Sequence, residues 1–140
     1  MPRIPPRIAP LALCAAALSC LTGCAGGAAV YSDLMAPPSD ADEIPDFVEE
    51  PAALLEVESA RHVATDLGND LWIAEGTEPD TVCVLAVNDE DQNWVIGCTL
   101  WGSPLGIGAP GSGTGYILRP DSGSGNDGVA ISVNIVRGRM

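Results

Sequence analysis

Residues 81–100 read TVCVLAVNDEDQNWVIGCTL, two β-favouring runs separated by a cluster of polar turn formers. TVCVLAV (81–87) and WVIGCTL (94–100) are rich in β-branched and aromatic residues, and NDEDQN (88–93) supplies the reversal between them. If the runs pair with Cys83 opposite Cys98, Leu85 faces Ile96, Val87 faces Trp94, and the turn centres on Glu90 and Asp91. Cys83, Leu85, Val87, Trp94, Ile96 and Cys98 then share one apolar face. A slip of one residue would turn that face to water, so the apolar pattern selects a single register. NDEDQN lacks the central Gly and terminal Glu of an EF-hand loop and reads as an acidic turn.

Other short strands follow on either side. RHVATD (61–66) and DLWIAEG (70–76) flank Leu67-Gly68-Asn69, a hairpin signal. After a Gly-rich stretch, TGYILRP (114–120) and GVAISVNIV (128–136) are strand-like, and in the latter Val129, Ile131, Val133 and Ile135 alternate with small or polar residues. The expectation is a mainly β fold: a small antiparallel meander, sheet or partial barrel of about six strands over residues 47–140. FVEEPAALLEVESARHV (47–63) is expected to hold one short helix opened by Pro51, with Leu54, Leu55 and Val57 as apolar contacts. No internal repeat is present.

The N-terminus is of a different kind. Arg3 and Arg7 precede the apolar run IAPLALCAAAL (8–18), the pattern of an export signal. The run is short of the ~20 apolar residues of a spanning helix, and Pro10 sits inside it. It ends in Leu21-Thr22-Gly23-Cys24, which resembles the lipobox of bacterial lipoproteins: an aliphatic residue, a small residue, Gly or Ala, then the acceptor cysteine. The resemblance implies that residues 1–23 are a signal peptide, with Leu21, Thr22 and Gly23 as recognition residues. It also implies that Cys24 becomes a diacylglyceryl-bearing N-terminus. Two acyl chains at ~0.8 kcal/mol per buried methylene would hold the protein to a cell membrane, facing the extracytoplasmic side. Residues 24–46, rich in Gly, Ala, Pro and acid, are then expected to be a flexible tether.

The five cysteines are Cys14, Cys20, Cys24, Cys83 and Cys98. Cleavage at the lipobox discards two and lipidation consumes Cys24, which leaves Cys83 and Cys98 as a disulfide in an oxidising compartment. Closing that loop of about fifteen residues contributes ~3 kcal/mol in the chain-entropy model. A metal site there lacks further Cys or His ligands at suitable spacing. From Ser59 the order Ser-x-Arg, aromatic-bearing hairpin, Val-Cys and Trp-x-x-x-Cys is similar to small actinobacterial lipoproteins of unestablished role, and it implies no activity.

Charge excludes some partners. The chain has six arginines, no lysine and nineteen carboxylates, a net charge of −13; without the leader, four arginines remain against nineteen carboxylates, a net −15. Such a body repels phosphate backbones, so nucleic acid is not an expected partner. GIGAPG (106–111) spells G-x-G-x-x-G, but Pro110 lies inside it and no helix signal follows, so no dinucleotide cofactor is expected. SGSGNDGVA (122–130) approaches a calcium-binding nonapeptide in one copy only; Asp121 and Asp127 are its weak candidate ligands, against a flexible turn.

Two single residues stand out. His62 is the sole histidine, and a hydrolase would need it beside a nucleophile and an orienting acid. No serine lies in G-x-S-x-G or S-x-x-K. Trp101, beside the Gly-rich stretch, is the candidate ligand-facing aromatic. The leading expectation is therefore a lipid-anchored, non-enzymatic envelope module that binds another envelope protein or a small ligand. The alternatives are a small extracytoplasmic hydrolase using His62 and a structural surface protein with no specific ligand.

Overall fold

A computed structural model describes residues 28–49, 51–123 and 128–139. The described residues form eight short strands: β1 (Arg61–Asp66), β2 (Asn69–Glu75), β3 (Thr81–Asn88), β4 (Asn93–Leu100), β5 (Leu105–Gly108), β6 (Gly115–Leu118), β7 (Val129–Ala130) and β8 (Ile135–Gly138). They make two antiparallel four-stranded sheets, β1-β2-β3-β4 and β5-β6-β8-β7, and neither closes into a barrel.

The first sheet is a meander built on the 81–100 hairpin. Cys83 pairs with Cys98, Leu85 with Ile96 and Val87 with Trp94, the register that the apolar pattern selects. Asp89 to Gln92 form the reversal, in which the Asp91 N–H donates to the Asn88 side-chain oxygen at 2.9 Å. Between β1 and β2, Leu67 and Gly68 both take positive φ, 50° and 79°. A two-residue turn with that backbone matches the right-handed strand twist.

Strand β3 is buried on both faces, from Val82 to Val87. One face carries Cys83, Leu85 and Val87 with Trp72 and Ala74, and it is covered by Val48, Leu55 and Ala60 from the preceding segment. The other face carries Leu71, Ile73, Val82, Val84 and Ala86, and packs on Ile107, Tyr116, Leu118 and Ile135 of the second sheet. The unbroken run Val82–Val87 is what a strand without a wet face requires. Gly97 of β4 lets the layers meet, since a Cβ there would lie 2.8 Å from Cγ2 of Ile107.

Four expectations are corrected. The strands among the described residues number eight, because the Gly-rich stretch contributes β5 and the run 128–136 breaks in two. Val129 and Val133 point outward, 54% and 55% exposed, while Asn134 is fully buried and holds the break. The 47–63 segment has one helical turn, Pro51–Leu54, and two 3-10 turns nearby in the chain at Asp40–Asp42 and Val57–Ser59. Of its three expected apolar contacts only Leu55 is buried; Leu54 and Val57 are exposed.

The fourth concerns the tether. Its described part, from residue 28, is fastened to the domain: Tyr31 is 1% exposed and Leu34 is buried beside it in the inter-sheet core. Ser32 donates its N–H to Asp121 at 2.9 Å, and its hydroxyl bonds the same carboxylate. Asp33 and Asn134 exchange two bonds, Asp33 N–H to the Asn134 side-chain oxygen at 2.9 Å and Asn134 N–H to the Asp33 carboxylate at 2.8 Å. A buried tyrosine ring and its polar clasp outweigh the composition that suggested free chain.

Candidate functional site

Trp101 follows the last residue of β4, and its N–H donates to the Asp80 carbonyl at 2.7 Å, extending the β3–β4 ladder by one pair. The ring then leaves the sheet edge. It meets Tyr31 edge-to-face, centroids 5.0 Å apart at 81°, and its Nε1–H donates to the Ala29 carbonyl at 2.8 Å. Gly102, at φ 86°, turns the chain so that its N–H reaches the Tyr31 hydroxyl at 3.2 Å. Burial raises the Tyr31 phenol pKa above its ordinary value, against the opposing effect of the Gly102 N–H. The indole is thus fixed in place yet 38% exposed.

Its free surface borders an open cleft of about 800 Å³ that is also lined by Glu56, Glu58, Glu75, Glu78 and Asp80. Among the described residues no basic side chain lines it. The neutral polar groups in its wall are engaged in the fold. The Ser59 hydroxyl donates to the Glu56 carbonyl at 2.6 Å and accepts from the Glu75 N–H at 2.8 Å, and the Thr81 hydroxyl donates to the Glu78 carbonyl at 2.6 Å. Gly76 also lines the cleft, and a Cβ there would lie 2.0 Å from Oγ1 of Thr81. The carboxylates and the indole face are thus the groups of this wall that the fold does not engage among the described residues. Among the described residues no set of three or more His, Cys, Asp or Glu side chains converges to hold a metal ion.

Cys83 and Cys98 are joined, with sulfurs 2.02 Å apart across a Cα separation of 4.0 Å. Both sulfurs lie against the Leu54 carbonyl, at 3.6 and 3.7 Å, so the Pro51–Leu54 turn roofs the bridge. A second, more apolar groove of about 450 Å³ runs between that turn and the end of β4, lined by Leu54, Cys98 and Leu100. It shares Glu78 and Thr81 with the Trp101 cleft.

His62 lies apart from both. Its Nε2 is 3.1 Å from the Asp70 carboxylate, and its ring meets Trp72 edge-to-face at 5.0 Å. The Thr65 hydroxyl bonds the same Asp70 oxygen. The carboxylate stands between hydroxyl and imidazole, whereas nucleophile activation needs the imidazole in the middle. Asp121 serves Ser32 and Asn134 and is drawn below the ordinary carboxylate pKa, first by the Ser32 hydroxyl and then by the Ser32 N–H and the Asn134 amide. Leu21, Thr22, Gly23, Cys24 and Asp127 lie outside the described residues.

The sequence singles out Trp101 by its position beside glycines, but it does not point to the carboxylates around it. Those five are separated by up to twenty-four positions in the chain, and only the return of residues 56–59 against β2 gathers them. The signal for Tyr31 was present: it is one of two tyrosines, set in a segment otherwise rich in Gly, Ala, Pro and acid. Comparison of the chain with protein-family models, curated proteins and solved structures gives no match.

Proposed function

We propose that the protein is a lipid-anchored binding module of the bacterial cell envelope, without catalytic activity, that takes a cationic ligand at the Trp101 cleft. The anchor rests on the order Leu21-Thr22-Gly23-Cys24 after a short apolar leader. The observation that carries the binding reading is an exposed indole, held by Tyr31 and Ala29, beside five carboxylates and, among the described residues, no base. A cation is attracted to an indole face and to the summed field of the carboxylates, which also steers its approach. The arrangement around His62 supplies no hydroxyl nucleophile to the imidazole and does not favour hydrolysis.

Titration of the full chain in detergent with a tetra-arginine peptide, read by tryptophan fluorescence, tests the reading. Saturable binding that weakens with salt is expected, with at least tenfold loss in Trp101→Ala. Equal response to a tetra-serine peptide, or none to either, refutes it in favour of a structural surface protein. The anchor has its own test: Cys24→Ser should abolish acyl labelling and release the protein from membranes, and persistent acylation refutes the assignment.

A further inference from the structure

A strand at a sheet edge presents unpaired N–H and C=O groups, and proteins ordinarily blunt such edges with charge, proline, bulges or covering segments. The outer edge of β1 is treated in that way. It bulges between His62 and Ala64, and its His62 N–H is taken by the Asp42 carboxylate at 2.8 Å. Strands β5 and β7 are edges of four and two residues. The outer edge of β4 differs: Asn93–Leu100 spans eight residues with neither charge nor proline.

The ladder tells which of its groups face outward. Trp101 N–H points to β3, and residues in an antiparallel strand alternate, so Ile96 and Cys98 turn their N–H and C=O groups away from β3. Trp94 N–H, on the same side, is capped by the Asn93 side-chain oxygen at 2.9 Å, and the Leu100 carbonyl accepts from Ser103 N–H at 2.9 Å. Among the described residues, nothing takes the groups of Ile96 and Cys98. Within the described residues, the segment between the two capped ends is therefore uncovered. Beside it lies the apolar groove, with Leu100 65% exposed.

We infer that β4 receives an extended basic segment of a partner protein as a fifth strand, with apolar side chains entering the Leu54–Leu100 groove and arginine or lysine reaching the Trp101 cleft. The inference rests on the binding-module reading and names its partner's form. Charge complementarity selects the occupant. Asp89, Glu90 and Asp91 stand at one end of β4, and Glu78 and Asp80 stand at the other. A second copy pairing antiparallel would bring the acidic end of one β4 against the opposite acidic end of its mate, a like-charge contact that costs association. A basic strand of about eight residues, roughly 26 Å long, meets acid at both ends and hydrogen-bonding backbone between them.

The probe is a nine-residue peptide alternating arginine with valine or threonine, added to the full chain in detergent, with a glutamate-for-arginine peptide as control. Amide exchange followed by NMR should slow at least tenfold at Ile96 and Cys98, and the affinity should fall with salt. Leu100→Pro removes an outward N–H without breaking a ladder bond, and Leu100→Lys places a cation on the same edge with the backbone intact; each should weaken the arginine peptide tenfold or more. Equal binding of the glutamate peptide overturns the inference. So does protection of these amides that grows with protein concentration and needs no peptide, which marks self-pairing. Binding that depends on Trp101 without protection at Ile96 and Cys98 overturns strand addition and leaves the cleft reading standing; absence of any binding removes both.

Discussion

Leu67 occupies the left-handed region at φ 50°, next to Gly68 at 79°. An L-residue other than Asn, Asp or Gly pays about 1–2 kcal/mol for that conformation, and the Leu67 side chain is 61% exposed, so it gains little packing in return. Asn before Gly is the favoured pair in this turn. Leu67→Asn is therefore expected to stabilise the fold by about 1 kcal/mol, raising the thermal midpoint by roughly 4–8 °C in calorimetry. The turn itself was legible from the Leu-Gly-Asn sequence, but the conformational strain on Leu67 was not, because it depends on the two-residue loop length. The register of Cys83 and Cys98 was legible in full, since one apolar face and one turn satisfied it together. Trp101 was legible only as a position; its fixing by Tyr31 joins residues seventy apart in the chain, beyond the reach of local pattern.

At the scale of elements, what could be read were hairpins with side chains that alternate. Strand β5 is half glycine, and a glycine shows no preference for a face, so nothing marked it as a strand. The run 128–136 misled because its alternation is real yet its centre is spent elsewhere: Asn134 is needed inside, bonded to the Arg119 carbonyl at 3.0 Å and to Asp121 at 2.8 Å. The segment from Val30 to Asp33 completes that clasp. Two of the carboxylates that fasten chain outside the sheets have lowered pKa values. In Asp42 burial raises the pKa, but the N–H groups of Ser39 and His62, the Ser39 hydroxyl and Arg61 together outweigh it; in Asp121 the bonds from Ser32 come first. A folded value below the unfolded one means that the folded state binds fewer protons. This stabilisation is complete above the unfolded carboxylate value near pH 4 and is lost as pH falls through the lower folded values. The thermal midpoint should decline across that acidic window, and Asp121→Asn should make the decline shallower. An unchanged slope would show that the clasp does not titrate with folding.

Taken whole, the molecule is two layers with an asymmetry in how they are secured. The first sheet has the disulfide at its β3–β4 pair. The second is tied to it across the core, where the Tyr116 hydroxyl is directed at the Asp66 carbonyl at 3.0 Å and Arg137 pairs with the Asp66 carboxylate at 2.7 Å. Burial raises the Tyr116 pKa most, and the Asp66 carboxylate adds to it. Cys83→Ala with Cys98→Ala should cost about 2–4 kcal/mol, seen as a lower denaturant midpoint, because the loop it closes is then free in the unfolded chain. A midpoint equal to that of the oxidised protein would mean that the Leu54 roof and the apolar face hold the hairpin unaided. The two-layer arrangement was half legible: the first sheet followed from its hairpins, whereas the second packs on it through Ile107, Tyr116, Leu118 and Ile135, with Gly97 leaving room for Ile107, which no local periodicity announces.

The docking of Tyr31 and the bond from Trp101 to the Ala29 carbonyl also set a leash length. Ala29 is five residues from Cys24, at most ~18 Å of fully extended chain. If Cys24 carries the proposed acyl chains, the indole works within about two Debye lengths of the bilayer surface at physiological ionic strength. Anionic headgroups concentrate cations in that layer and repel the protein's own acidic body, which would tilt the cleft outward. Capture would then take place in a thin, cation-enriched shell rather than in the open solution beyond it.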